Sequence, residues 1–287
     1  MNPENYEKEQ IQAIAKWKEE KPSVVKTAFG FVFYPISVSI QSVLPRSAIR
    51  GVLEGTSTAA KWLADEGDLR RKGEVSEIGE LRTKDLRLSD QLANEVHNWA
   101  ISLASAEGVG SGFLGIYGLA VDIPFIITLA LRTIHKIGLC YGYQTKDEKG
   151  RNFVLTLLSV AGANTYNEKA EAIKILRAID IMIAKQTIKT VYEKAVQRQL
   201  SKETVLIGLE KLSNQLGINI TERKILQTIP VIGAAVGGSV NGWFLNDVGW
   251  AARRGYQERW LIENNRIPAT GVSDVEGPSE NQLISED

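Results

Sequence analysis

The sequence contains little cysteine and little histidine, which narrows the kinds of site it can hold. Cys140 is the single cysteine of 287 residues, so an internal disulfide framework and a multi-cysteine zinc site are both excluded. The two histidines, His97 and His135, are far apart in sequence and match no H-E-x-x-H pattern. We therefore predict two structural histidines, no metal and no cofactor.

The chain also lacks a charge excess of either sign. It carries 34 basic and 34 acidic residues, so no overall field attracts nucleic acid, and none is expected as a partner. The N-terminal stretch "MNPENYEKEQIQAIAKWKEEK" has no apolar run of signal-peptide length. We expect no export, and the single cysteine fits a reducing, cytoplasmic compartment.

Uninterrupted hydrophobic runs are also missing. Three windows have the length of a bilayer span, Thr27–Pro45, Val109–Leu131 and Ile225–Asn246. Each one is interrupted by proline or by a polar residue, namely Pro35, Asp122, Pro124, Pro230 and Asn241. A proline forfeits a helical hydrogen bond and a carboxylate in a bilayer is costly, so buried helices of a soluble core are favoured over membrane spans.

What the sequence does contain is helical spacing of apolar residues from Asn2 to Leu261, with no convincing strand alternation. It predicts an all-α, multi-helix bundle with glycine-rich, closely packed apolar helices. Helix starts are predicted at the cap residues Asn2, Asp122, Thr145 and Asn167, and helix ends at the glycines Gly108, Gly162 and Gly217.

Composition divides the chain into four parts. We predict a helical segment over residues 1–64, a charged connector over 65–88, a helical domain over 89–266 and a disordered acidic tail over 267–287.

The glycines have two interpretations. Gly110, Gly112 and Gly115 match a G-x-G-x-x-G spacing, but no strand precedes them and no acidic residue follows at the required distance, so a nucleotide site is disfavoured. Glycines four residues apart instead leave a stripe on which another helix can approach. The predicted packing positions are Gly108, Gly112, Gly115, Gly118, Gly233, Gly237, Gly238 and Gly242.

Few residues offer chemistry. Asp122 is interpreted first as an N-cap, and Asp247 as an ion-pair partner of Arg132, Arg253 or Arg254. If the protein is an enzyme, its catalytic residues are to be sought among Asp122, His135 and Asp247. The segment "ARRGYQERW" combines cations and aromatics as lipid headgroup zones do, which nominates Arg253, Arg254, Tyr256, Arg259 and Trp260 for ligand or membrane binding.

Two glycine-rich blocks resemble the bacterial EcsC family when taken together in this order. They are "GVGSGFLGIYGLAVDIPFIITLALRTIHKIGLCYGY" and "IPVIGAAVGGSVNGWFLNDVGWAARRGYQERWL", and the resemblance covers roughly Leu86–Leu261. It implies a helical protein named for an ABC-transporter operon, with no catalytic residues to transfer.

The resulting hypothesis is a non-enzymatic accessory protein linked to transport or envelope processes. It would be peripheral to the inner face of the membrane, with a membrane surface or a membrane complex as partner. The alternatives are a hydrolase acting on lipid or envelope material, and a soluble helical module that binds a small apolar ligand. The oligomeric state stays open.

Overall fold

The helices predicted from apolar spacing are present throughout the computed structural model, which describes residues 3–22, 46–55, 66–111, 115–145, 147–185, 202–227 and 240–268. These residues form nine α-helices and one 3-10 helix (Ile78–Thr83) and include no strand, so the all-α prediction is confirmed. The α-helices are α1 (Pro3–Glu19), α2 (Arg46–Glu54), α3 (Glu66–Gly73), α4 (Leu86–Ser111), α5 (Gly115–Cys140), α6 (Glu148–Ala161), α7 (Tyr166–Lys185), α8 (Lys202–Gln227) and α9 (Val240–Glu263).

Helix α9 lies at the centre of the bundle. It packs along α4 over most of its length and also contacts α1, α5, α6, α7 and α8. Its buried residues recur at helical spacing, as Phe244, Val248, Ala251 and Ala252 show, but burial extends to other faces as well. A helix buried on several sides is the expected centre of a bundle.

Helices α4 and α5 correct two predicted boundaries. Helix α4 continues past Gly108 to Ser111, and α5 begins at Gly115, so Asp122 lies inside α5 and is not its N-cap. Pro124 is accommodated within the same helix, where Thr128 Oγ1 donates to its carbonyl at 2.8 Å. Tertiary packing of an apolar helix offsets the single backbone hydrogen bond that proline removes.

Within the described residues, one segment is long and apolar enough to cross a membrane by length and composition, Asp122–Cys140 in α5. Of this window, 72% is buried inside the protein. That burial is typical of a core helix. The window Thr27–Pro45 lies outside the described residues, as does the tail from residue 269 onward.

The caps of α6 and α7 also differ from the prediction. The side chain of Asp147, not Thr145, caps α6 by accepting a hydrogen bond from the backbone N–H three residues on, at 2.8 Å. In α7 the cap is Thr165, not Asn167, and it forms a capping box with Glu168, whose carboxylate accepts the Thr165 N–H at 3.2 Å. The turn between these helices is therefore fixed on both sides.

Helix α8 does not end at Gly217, as predicted, but continues to Gln227. Gly217 is buried within it, and Thr221 Oγ1 donates to the Gly217 carbonyl at 2.7 Å. Packing thus carries the helix through a residue that in isolation favours termination by about 1 kcal/mol. This continuation brings Arg223 into the interior.

The N-terminal helix α1 packs Ile14 into the core and makes polar contacts as well. Tyr6 donates to Asp90 of α4 at 2.6 Å, Lys18 pairs with Glu258 of α9 at 2.5 Å, and Arg266 pairs with Glu7 at 3.1 Å. The predicted charged connector, residues 65–88, also contributes buried side chains to the core, namely Leu69, Ile78, Leu81 and Leu86.

Close helix approaches do occur at glycines, at positions the sequence did not single out. A Cβ atom at Gly249 would lie 2.0 Å from the His97 ring, one at Gly138 would lie 2.7 Å from Tyr256, and one at Gly255 would lie 2.5 Å from Leu157. Of the predicted packing glycines, Gly108, Gly115, Gly118 and Gly242 lie in helices, whereas Gly112, Gly233, Gly237 and Gly238 lie outside the described residues.

Candidate functional site

A cleft of about 440 Å³ opens between the C-terminal half of α1, the α6–α7 turn, the start of α7 and the middle of α9. Its lining combines cations, two tryptophans and small apolar side chains, namely Ala13, Lys16, Trp17, Glu20, Lys21, Pro22, Val160, Ala161, Ala163, Lys169, Asn246, Asp247, Trp250, Ala251 and Arg254. This size and this mixture of aromatic and polar walls are typical of small-molecule sites. We call it the α1–α9 cleft.

Glu20 and Asp247 are the two acidic residues that line the cleft, and a buried arginine, Arg223, neutralises Asp247. Arg223 of α8 is 0% exposed, and its Nη1 donates to Asp247 Oδ2 at 2.8 Å. Its other nitrogens donate to Asn164 Oδ1 at 2.9 Å and to the carbonyls of Ala161 and Ala163 at 3.2 and 3.1 Å. A buried guanidinium needs such a full set of acceptors.

This pair corrects the predicted partners of Asp247, which were Arg132, Arg253 and Arg254. Sequence reasoning misses the true partner because a helix that ends at Gly217 would leave Arg223 outside it. The signal is nevertheless present, since Arg223 follows buried Ile220 by three residues and so shares its helix face.

Lys169 lies in the lining of the cleft and hydrogen-bonds the C-terminal end of α1. Its ammonium donates to the backbone carbonyls of Trp17 and of Glu20, the latter at 2.8 Å, and lies 4.8 Å from the centre of the Trp17 ring. A cation is favourable at a helix C-terminus, where carbonyls lack helical partners. Burial lowers the pKa of Lys169. Two of its three N–H donors are used by these carbonyls.

Cations outnumber carboxylates in the α1–α9 cleft. Lys16, Lys21, Lys169 and Arg254 face two acids, Glu20 and Asp247, and the second acid is balanced by Arg223. Arg254 is held in place by Gln10 at 2.9 Å and Gln257 at 2.8 Å. The lining therefore favours an anion.

Two tryptophans give the cleft flat apolar walls. Trp250 lies 5.0 Å from the Arg254 guanidinium and 4.6 Å from that of Arg253, and His97 packs edge-on against it at 5.6 Å between ring centres. Burial, together with nearby Arg253, lowers the pKa of His97 to about 4, so its ring is neutral at physiological pH. The combination suits a ligand with an anionic group and an apolar part.

The predicted catalytic residues do not converge. Asp122 and His135 lie on the same helix 13 residues apart, which separates them by about 20 Å along its axis. Asn241 donates to Asp122 at 3.3 Å, and burial lowers the pKa of His135 to about 4. Asp247 is the one predicted catalytic residue that lines the cleft. Among the described residues, no three His, Cys, Asp or Glu side chains are grouped as metal ligands would be.

Of the residues nominated for membrane binding, only Arg254 lines the cleft. Tyr256 and Trp260 are 2% and 3% exposed, so neither ring reaches a headgroup zone. Arg259 lies 4.2 Å from the Tyr143 ring and pairs with Glu263, while Arg253 donates to Asn94 at 2.9 Å. The two aromatic rings thus lie in the core, and the three arginines each make a contact within the protein, whereas binding of a membrane or ligand by these arginines stays a prediction.

Comparison with known proteins places the chain in one family. It is 28% identical to the uncharacterized protein YdbA of Bacillus subtilis over 186 residues, which is 65% of this chain and 63% of YdbA. It is 26% identical to protein EcsC of the same organism over 161 residues, 56% of this chain and 59% of EcsC. The aligned region thus covers less than two thirds of either relative, and no solved structure matches.

The family comparison reaches further toward the N-terminus than the two glycine-rich blocks. The EcsC protein family model matches residues 8–261, from α1 to α9, and so includes every helix that lines the cleft. The chain belongs to the EcsC protein family.

Proposed function

We propose that this EcsC family protein is a membrane-associated accessory protein that works by binding, with the α1–α9 cleft taking the anionic headgroup of a lipid. The observation that carries the proposal is the uncompensated positive charge of the cleft beside two tryptophan walls. Anionic headgroups carry the opposite charge, and their acyl chains supply apolar surface. The cytoplasmic face of the membrane is the proposed location.

Binding is favoured over catalysis because none of the predicted catalytic residues is available as a base in the cleft. Asp247 is paired with Arg223, and His135 is buried on α5 rather than lining the cleft. A hydrolase acting on lipid would need a base within hydrogen-bonding distance of its substrate.

Vesicle sedimentation tests the proposal. We expect the protein to bind phosphatidylcholine vesicles that contain phosphatidylglycerol, and to bind pure phosphatidylcholine more weakly. Each cation near the surface contributes about 1 kcal/mol, so Lys16→Gln should weaken binding about fivefold and Lys16→Gln with Lys21→Gln about 30-fold at low salt. Lys8→Gln is the matched control, since Lys8 is exposed on the same helix outside the cleft.

Unchanged binding by the Lys16→Gln/Lys21→Gln variant would contradict a role for the cleft. Equal recovery in the supernatant with and without vesicles would instead favour the soluble module with an apolar ligand. Cell fractionation with salt and carbonate washes tests the location, because a peripheral protein is released by these washes and an integral one is not.

A further inference from the structure

Three of the cations that line the α1–α9 cleft lie together at one end of it. Lys16 is in the last turn of α1, and Lys21 follows two residues after that helix ends. Lys169 of α7 reaches the same end, because its ammonium donates to the backbone carbonyls of Trp17 and Glu20. We call Lys16, Lys21 and Lys169 the lysine end of the cleft.

The positive charge of the lysine end exceeds the negative charge beside it. Within the part of the chain that the structure describes, none of the three lysines forms a salt bridge. Of the acids in the lining, Asp247 is paired with Arg223, which leaves Glu20. Glu19 is exposed and lies outside the lining, so water screens its charge. Three positive charges and one negative charge leave an excess of two, and the α1 dipole reduces this to about one and a half.

Lys169 has a hydrogen-bond donor left for a ligand. Its side chain is buried, with the residue 5% exposed, and two of its three N–H groups donate to the α1 carbonyls. The third has no acceptor among the described residues. Burial lowers the pKa of Lys169 by removing water from the charged form, so an anion placed beside it would restore part of the lost stabilisation.

The two common kinds of lipid phosphate differ in charge and in terminal oxygens. A phosphate monoester carries a charge of about −1.5 to −2 at pH 7 and has three terminal oxygens. A phosphodiester carries a single negative charge and has only two such oxygens. The monoester therefore matches the charge excess of the lysine end and offers one acceptor to each of its three lysines.

We propose that the lysine end of the α1–α9 cleft selects a phosphate monoester over a phosphodiester. This inference rests on the proposed function and deepens it, because it names the class of headgroup that the cleft takes. Phosphatidic acid is a lipid of this class, and sn-glycerol 3-phosphate is the same group without acyl chains.

Vesicles of matched surface charge test the selection. Phosphatidylcholine vesicles are prepared with either phosphatidic acid or phosphatidylglycerol, in amounts that give the same zeta potential, so that surface charge alone cannot separate them. We expect the protein to bind the phosphatidic acid vesicles about fivefold more tightly, which corresponds to about one further charge neutralised at the lysines. Equal binding to both vesicles, with no binding of sn-glycerol 3-phosphate, would overturn the proposal.

Lysine variants locate the preference within the molecule. Lys169→Gln removes the buried charge and should reduce the preference to about one. Lys174→Gln is the matched control and should keep it, because Lys174 is exposed on the same helix outside the cleft. Circular dichroism checks that each variant stays helical. If Lys169→Gln loses helix, the variant Lys16→Gln/Lys21→Gln decides, since both of its lysines are exposed, and a fivefold preference kept by it would refute the assignment to the lysine end.

Titration calorimetry with sn-glycerol 3-phosphate separates a lipid ligand from a soluble one. Binding of this monoester by a protein that binds neither vesicle would support the monoester site and refute the lipid of the proposed function. The opposite result is also distinct. If Lys16→Gln/Lys21→Gln weakens binding to phosphatidylglycerol vesicles while the wild type prefers the monoester in neither assay, the cleft proposal stands and the monoester inference is wrong.

Discussion

The contact between Gly249 and His97 allows a quantitative test of how α4 and α9 pack. A Cβ at Gly249 would lie 2.0, 2.2 and 2.4 Å from three atoms of the His97 ring, so Gly249→Ala must displace the ring. The ring is held by a 3.1 Å contact between its Nε2 and the Asn246 carbonyl and by its edge contact with Trp250. Displacement therefore disturbs both.

The magnitude follows from opposing effects. Overpacking costs about 1–3 kcal/mol, and loss of the hydrogen bond adds about 1 kcal/mol. Alanine offsets about 0.5–1 kcal/mol of this because glycine is the poorer helix former. The net loss of unfolding free energy is about 1–3 kcal/mol, which corresponds to a fall in Tm of roughly 3–8 °C for a chain of this size.

Thermal unfolding followed by circular dichroism measures the effect, with Gly208→Ala as the control. Gly208 lies in α8, and no atom lies within 4 Å of the position that an alanine methyl would take there, so this substitution should raise Tm slightly. His97→Ala should also suppress the defect, since it removes the obstructing ring. Melting of Gly249→Ala at or above the wild-type temperature would refute the close approach of these helices.

Three other sites give sharp expectations. Arg223→Met should lower the unfolding free energy by about 3–5 kcal/mol in denaturant titrations, because it breaks the buried ion pair with Asp247 and removes the donor to the Ala161 and Ala163 carbonyls, and a second change of Asp247→Leu should recover part of the loss. Burial beside Glu258 raises the pKa of Asp180 well above its ordinary value, so stability falls as pH rises past the unfolded-state pKa. In thermal unfolding, Asp180→Asn should therefore have a higher Tm than the wild type at pH 7 and about the same Tm in acid, where Asp180 is protonated in both states. Burial raises the pKa of the Cys140 thiol to about 12, so a thiol reagent should label it only on unfolding.

The helical class was predictable from sequence because apolar spacing is local and recurs along the chain. Helix ends were less predictable. Gly108, Gly217 and Pro124 are each unfavourable inside an isolated helix, yet all three are helical here, because packing of the long helices that contain them offsets the propensity cost. Local signals predict where a helix prefers to end, and packing decides whether it does.

The candidate site was only partly predictable, since its parts come from distant stretches. Asp247 and Arg254 were singled out and both line the cleft, but Lys169 and Arg223 join it from other helices. No local pattern relates Lys169 to the end of α1, 149 residues away. The close helix contacts at glycines were not predicted for the same reason. Gly249, for example, is a close contact only because the His97 ring of the distant helix α4 packs against it.

The two hydrogen bonds from Lys169 to the end of α1 are sensitive to the length of that helix and insensitive to its side chains. Its partners are the backbone carbonyls of Trp17 and Glu20, which any side chain at those positions would present equally. Substitutions there can therefore accumulate without breaking the contact. One residue inserted into α1 would instead rotate the terminal carbonyls by about 100° and advance them by about 1.5 Å. Such an insertion would move these carbonyls away from the Lys169 ammonium and reshape the cleft, which the end of α1 lines.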